Sequence, residues 1–161
     1  MREIAIKELN DFLKEKGFKK TGLVWYLKNN DIYLLCEYQG SRISKSFYLN
    51  FGLYFSLLTY ENFTKIPKSD DWHFVGRYNQ ILKGFVDAPE TQISLENTET
   101  DILLNLNNVK VKIEKFILPY LLQMQDYKYF KDNFPDDFNH DKLWLQNIRE
   151  NDFIEFVQSQ S

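Results

Sequence analysis

A chain of 161 residues has the length of one domain and can bury roughly two thirds of its unfolded surface; with 43% hydrophobic and 17% aromatic residues it lies far from disordered compositions. Its 20 basic and 23 acidic side chains leave a net charge of −3, which disfavours a broad phosphate-binding surface and with it a nucleic-acid partner. A single cysteine, Cys36, excludes an internal disulfide and paired-cysteine metal motifs, and it suits a reducing compartment.

The opening "MREIAIKELNDFLKEKGFKK" carries charges where a signal peptide would have its apolar centre, and no later stretch is long and apolar enough to cross a bilayer. The expectation is a cytoplasmic protein of one domain, residues 1–161, with no membrane association. From Arg2 to Lys16, Ile4 or Ala5, Leu9, Phe12 and Leu13 recur at helical spacing with Lys and Glu between them. Gly17 follows at the position where a helix end prefers the left-handed conformation.

"LVWYL" and "DIYLLCEYQ" flank "KNND", whose Asn29 and Asn30 tolerate a tight hairpin turn. Pairing Leu27 with Ile32 sets Trp25 opposite Leu34 and puts Cys36 on the core face. A third strand, "SKSFYLNFGLYFSLL", then aligns Leu49 with Cys36 and Phe51 with Leu34 if Arg42 and Ile43 form the apex of the connection. Its other row is unusual: Tyr48, Asn50, Gly52 and Tyr54 stand where a solvated face would carry Lys, Glu and Thr. Tyr26 and Tyr33 join that row from the neighbouring strands. Tyrosines bring apolar bodies with polar tips, and Gly52 leaves a gap that a neighbouring tyrosine could fill. The expectation is a second sheet face that is partly covered and partly open for recognition.

Thr59 to Ser69 reads as a loop, "WHFVGRYNQIL" as a fourth strand carrying Trp72, Phe74 and Arg77, and "GFVDAPETQISLENTET" as a surface excursion. Thr98 and Asp101 have capping-box spacing ahead of Ile102, Leu106, Val109, Ile113 and Phe116, which predicts a long helix. Pro119 should end or kink it near Leu118. A shorter helix follows in "YLLQMQDYKYFKDNF". Leu143, Trp144, Ile148, Phe153, Ile154 and Val157 predict a closing helix broken near Asn151.

Chemical motifs are scarce. His73 and His140 are the two histidines, so a multi-histidine metal site is excluded, and a Cys36 nucleophile would have to leave the core face. Asp136, Asp137, His140 and Asp141 could hold a divalent ion, but the same residue types serve a helix N-terminus, which is the favoured reading. No glycine-rich phosphate loop and no Gly-x-Ser-x-Gly elbow appear. No cofactor or catalytic residue is therefore assigned. For Arg77, pairing with an internal acid such as Glu37 is preferred over stacking on Trp72, because five residues of regular strand put the latter two on opposite faces.

The succession "FLKEKGFKKTGLVWYL", "YLLCEYQGSRISKSFYLNFGLYF", "DWHFVGRYNQIL" and "FILPYLL" resembles the bacterial domain-of-unknown-function family 4304. The likeness rests on Gly17-Phe18-Lys19-Lys20, Trp25, Gln39, Tyr48-Leu49-Asn50-Phe51-Gly52, Trp72, Arg77 and Pro119, and covers about residues 1–130, leaving 131–161 as a C-terminal helical segment. The resemblance implies a small α+β domain and transfers no activity, substrate or catalytic residue. Similar small acidic domains serve as immunity proteins beside secreted bacterial toxins, which supplies an analogy.

The expected architecture is α+β, an antiparallel sheet of about three to five strands with helices packed on one face. The expected function is protein binding, with a toxin-like partner as the specific form. It would use Tyr26, Tyr33, Tyr48, Asn50 and Tyr54, with Arg42, Trp72 and Arg77 near the rim. The alternatives are a small-molecule site or enzyme between sheet and helices, with Asn50, His73 and Arg77 as its polar groups, and self-association into a homo-oligomer through a sheet edge or the tyrosine face.

Overall fold

The structure is a computed structural model and describes residues 1–58, 65–87, 93–133 and 142–160. Helix α1 (Arg2–Glu15) buries Ala5, Leu9, Phe12 and Leu13, the stripe its spacing predicts. It ends in a Schellman motif: Phe18 N donates to Leu13 O and Gly17 N to Lys14 O, with Gly17 at φ +89°. Two terminal carbonyls are thereby satisfied, and the chain turns into the sheet.

Among the described residues the sheet has seven antiparallel strands. They are β1 (Lys19–Thr21), β2 (Val24–Asn29), β3 (Ile32–Gly40), β4 (Ser46–Phe55), β5 (Phe74–Arg77), β6 (Ile93–Ser94) and β7 (Trp144–Leu145). The order is β1-β2-β3-β4-β5-β7, and β6 also pairs with β4. The count exceeds the expected range because β1, β6 and β7 are two or three residues long, too short for alternation to register.

Both hairpin registers differ from the expected ones by two residues. Leu27 faces Leu34 and Asn29 faces Ile32, so the turn is Asn30-Asp31, with Asn30 at φ +52°. Cys36 faces Phe51, and Tyr38 faces Leu49. Because side chains alternate with period two, an even slip leaves every residue on its expected face. Gln125, itself buried, fixes the first turn: its Nε2 donates to the carbonyls of Leu27 and Ile32, and its own carbonyl accepts from Asn29 Nδ2.

All α-helices of the described residues lie on one face. Over it pack α1, α2 (Tyr78–Lys83), α3 (Glu99–Lys112), α4 (Leu118–Gln123), α5 (Tyr127–Asn133) and α6 (Glu150–Ser159). The strands contribute Trp25, Leu34, Cys36, Phe47, Phe51, Leu53 and Phe55 to this main core. Phe55, Phe74, Phe130 and Phe153 close one end in edge-on contacts, with Phe153 at 5.1 Å from both Phe55 and Phe74.

Thr98 caps α3 by accepting from Asp101 N at 3.3 Å, as its spacing predicts. Pro119 does not end the helical run. A π-helical turn, Ile113–Ile117, precedes it and places the proline in the first turn of α4, where a missing amide costs nothing. The stretch 72–82 is a short strand followed by α2, with Trp72 ahead of the strand; the stretch from 143 is β7 followed by α6. Asp136, Asp137, His140 and Asp141 lie outside the described residues, as do 59–64 and 88–92 of the two expected loops.

Candidate functional site

The registers arrange the second sheet face in rows. One row runs Val24, Glu37, Asn50, Arg77 across four strands, and the next runs Tyr26, Leu35, Gly52, Val75. Tyr33 faces Tyr54 in a third row, and Gln39 faces Tyr48 on the other side. No α-helix covers these rows among the described residues. The segment 65–72 does.

Gly52 makes that cover fit. A Cβ there would stand 2.1 Å from Phe74 O and 2.5 Å from Trp72 Cε3, so the indole of Trp72 occupies the space that a side chain would need. Trp72 Nε1 donates to Pro67 O at 2.9 Å, and the ring packs with Val24, Tyr33, Leu35, Tyr54 and Ile66 in a second small core. The filler of the gap is thus a tryptophan from the following segment, not a neighbouring tyrosine. Tyr33 and Tyr54 retain 7% and 6% of their surface. Tyr26 is half-buried, tilted against Tyr33 at 6.2 Å.

His73 belongs to this packing. Its Nδ1 accepts from Phe55 N at 3.0 Å and its ring stacks on Tyr54 at 4.8 Å. Burial lowers its pKa to about 4, so the imidazole is a neutral acceptor at pH 7. Cys36 is fully buried, and burial pushes its thiol far above the ordinary range. Neither group is offered to a substrate.

The far end of the face is built from polar groups. Asn50, 4% exposed, donates from Nδ2 to Glu37 Oε2 (3.2 Å), Gln39 Oε1 (3.0 Å) and Ser69 Oγ (3.4 Å). The Ser69 hydroxyl also donates to Glu37, so the buried carboxylate is solvated by two neutral donors. Arg77, diagonal to Tyr48 across β4 and β5, lies 4.1 Å above its ring centroid. Among the described residues no carboxylate forms an ion pair with Arg77. The expected pairing with Glu37 does not occur, since Asn50 stands between the two in the row; the stack is on Tyr48 and not on Trp72.

Of these groups, Gln39, Asn50, Ser69 and Arg77 line a cleft of about 820 Å³. Helix α2 adds Asn79, Gln80 and Lys83 to one wall, and the strand β7 region adds Trp144 and Gln146 to the other. The β7 wall is tied to the covering segment: Gln146 Nε2 donates to Ser69 O, and Asn147 Nδ2 to the carbonyls of Asp70 and Trp72. Trp144 is 51% exposed on the rim. The space between sheet and helices, where the alternative reading places a pocket, is lined by the buried apolar side chains of the main core.

Of the expected binding residues, Asn50 and Arg77 therefore line one cleft, and Tyr48 stacks against Arg77 without lining it. Tyr33, Tyr54 and Trp72 lie in the second core, and Tyr26 stands at its margin. Arg42 sits at the exposed tip of the β3–β4 connection, outside the cleft. Sequence reasoning missed Ser69, Lys83, Trp144 and Gln146, which reach the cleft from segments whose relation to the sheet no local pattern reveals. Among the described residues no group of carboxylates, imidazoles and thiols is arranged to hold a metal ion, and no helix is long and apolar enough to cross a membrane.

No curated protein and no solved structure matches the chain. A family model described as "Domain of unknown function (DUF4304)" matches residues 9–123, a span that holds the rows, the glycine gap with its tryptophan, and the Arg77–Tyr48 stack, and that stops short of Trp144 and Gln146. With most of its length inside that match, the chain belongs to the DUF4304 family.

Proposed function

We propose that this domain is a protein-binding module that docks its partner at the Arg77 cleft, and that its specific form is an immunity protein neutralising a toxin in the cytoplasm. The observation that supports this reading is the pairing, on one rim, of an arginine held by stacking and a half-exposed tryptophan. Tyr, Trp and Arg are the side chains that dominate binding energy when a partner dries them. A lone, fully buried Cys36 suits the reducing compartment.

The test is native mass spectrometry of the tagged chain recovered from its source cell, beside the Arg77→Ala/Trp144→Ala variant. Both positions are exposed, so the variant should unfold at nearly the wild-type temperature. The expected result is a stoichiometric protein partner with the wild type and its loss with the variant. Equal recovery from both chains removes the cleft from the interaction. Co-expression with a neighbouring toxin-like reading frame tests the narrower role: failure to restore growth leaves binding without neutralisation.

A second reading is favoured by the floor of the same cleft. Asn50 and Ser69 line it and are held from behind by the buried Glu37, a polar network of the kind that orients a small molecule. Stabilisation by a metabolite in a thermal-shift screen, lost on Asn50→Leu substitution, would support it.

A further inference from the structure

We infer that Arg77 is the receptor of a carboxylate, and that the docking partner meets this cleft with an acidic side chain. The inference deepens the docking reading and rests on it for the source of the carboxylate, while the carboxylate chemistry stands on the geometry of the cleft.

Arg77 is held in place before any ligand arrives. Its backbone is fixed by pairing with Asn50, and its guanidinium lies over Tyr48 at 4.1 Å. Stacking occupies the face of the guanidinium and leaves its edge, where the N–H groups lie, for an acceptor. Among the described residues no acceptor bonds to that edge. An arginine already ordered gives up little rotamer freedom on binding, so its fork can be used at small cost.

The neighbours complete a donor set. Gln39 accepts from Asn50 through Oε1, which leaves its NH₂ as the free end of the amide. Lys83 reaches the same cleft from α2 and has no ion pair among the described residues. In a chain of net charge −3, two cations without carboxylate partners share one concavity. Opposing them are Asp70 in the wall and Glu37 buried behind Asn50. That balance suits a planar group of one negative charge, which the guanidinium edge can meet with two parallel hydrogen bonds, and it penalises a doubly charged phosphate.

The test is a titration of the ¹⁵N-labelled full chain, reading the Arg77 Nε–Hε and the Gln39 side-chain NH₂ signals. The probes are the blocked peptide Ala-Glu-Ala, its Ala-Gln-Ala counterpart, glutarate and inorganic phosphate. The expected result is saturable movement of the Arg77 signal with Ala-Glu-Ala, and binding about tenfold weaker for Ala-Gln-Ala and for the Arg77→Gln variant. Lys83→Gln should weaken it by a smaller factor, and serves where Arg77→Gln changes the unfolding temperature. Peptide binding tighter than glutarate supports a partner side chain as the source. Glutarate binding tighter than the peptide overturns that assignment in favour of a free small acid. The inference is overturned by phosphate binding tighter than either, by equal affinity for the two peptides, or by no saturable shift. Partner capture that survives Arg77→Gln and is lost only with Trp144→Ala sinks the carboxylate assignment and spares the docking reading; carboxylate binding without any captured partner does the reverse.

Discussion

His73 illustrates how a lone titratable side chain is recruited to packing. Its Nδ1 must stay unprotonated to accept the Phe55 amide, and its ring is sandwiched into the second core against Tyr54. The folded pKa is about 4, against 6.5 in the unfolded chain. Between those values the unfolded state binds more protons than the folded one, so stability rises with pH. The contribution is complete above pH 6.5 and is lost as pH falls towards 4, a difference of about 3 kcal/mol. Urea unfolding at pH 7 and pH 4.5 checks this by comparing wild type with His73→Asn, whose Oδ1 can replace Nδ1 as acceptor. The variant should be weaker at pH 7 through lost stacking, yet lose less on acidification; parallel losses would show that His73 does not carry the effect. The sequence marked Asn50, Gly52 and the tyrosines as out of place on a solvated face, because alternation sorts neighbours on a strand. It could not show that the glycine gap is filled by Trp72, which arrives through an irregular segment with no period to read.

Strand β4 is where the two cores are welded back to back. Phe51, Leu53 and Phe55 enter the main core, while Gly52 and Tyr54 receive the covering segment on the other side. Gly52→Ala should cost about 2–4 kcal/mol, because the added methyl meets both an indole and the backbone carbonyl of Phe74. The carbonyl belongs to β5 and cannot retreat without opening the β4–β5 ladder, so Trp72→Ala in the same chain should not restore the loss. A cost below about 1 kcal/mol in urea unfolding would mean that the close approach is not maintained. Element by element, legibility followed length. Helix α1, the β2–β3 and β3–β4 hairpins and the Thr98 cap carry enough periodic residues or cap chemistry to be read directly. The β2–β3 register slipped by two because the sequence "KNND" offers more than one tight turn, the β3–β4 register because the longer connection around Arg42 and Ile43 does not fix its own apex, and strands β6 and β7 went unread because a pair of residues has no alternation.

At the scale of the whole molecule, the sheet order decides which strands stand open to edge pairing. One edge is β1, where Lys19, Lys20 and Thr21 are all exposed, and Lys20 lies 5.3 Å from the Trp25 ring centroid. On the other side, among the described residues, the sheet ends in β7 and in β6, each two residues long and too short to template a strand. A charged edge and truncated edges are the usual protections against strand addition, so pairing through these edges is disfavoured. The β1 edge is the testable half of this argument. Replacing both Lys19 and Lys20 with Val keeps the strand's propensity and removes its charge. Light scattering at rising concentration should then show the variant growing beyond the monomer mass while the wild type stays there. Growth of the wild type to a dimer that Arg77→Ala abolishes would instead place the self-contact in the cleft, and a variant that remains monomeric would mean that the lysines do not guard the edge.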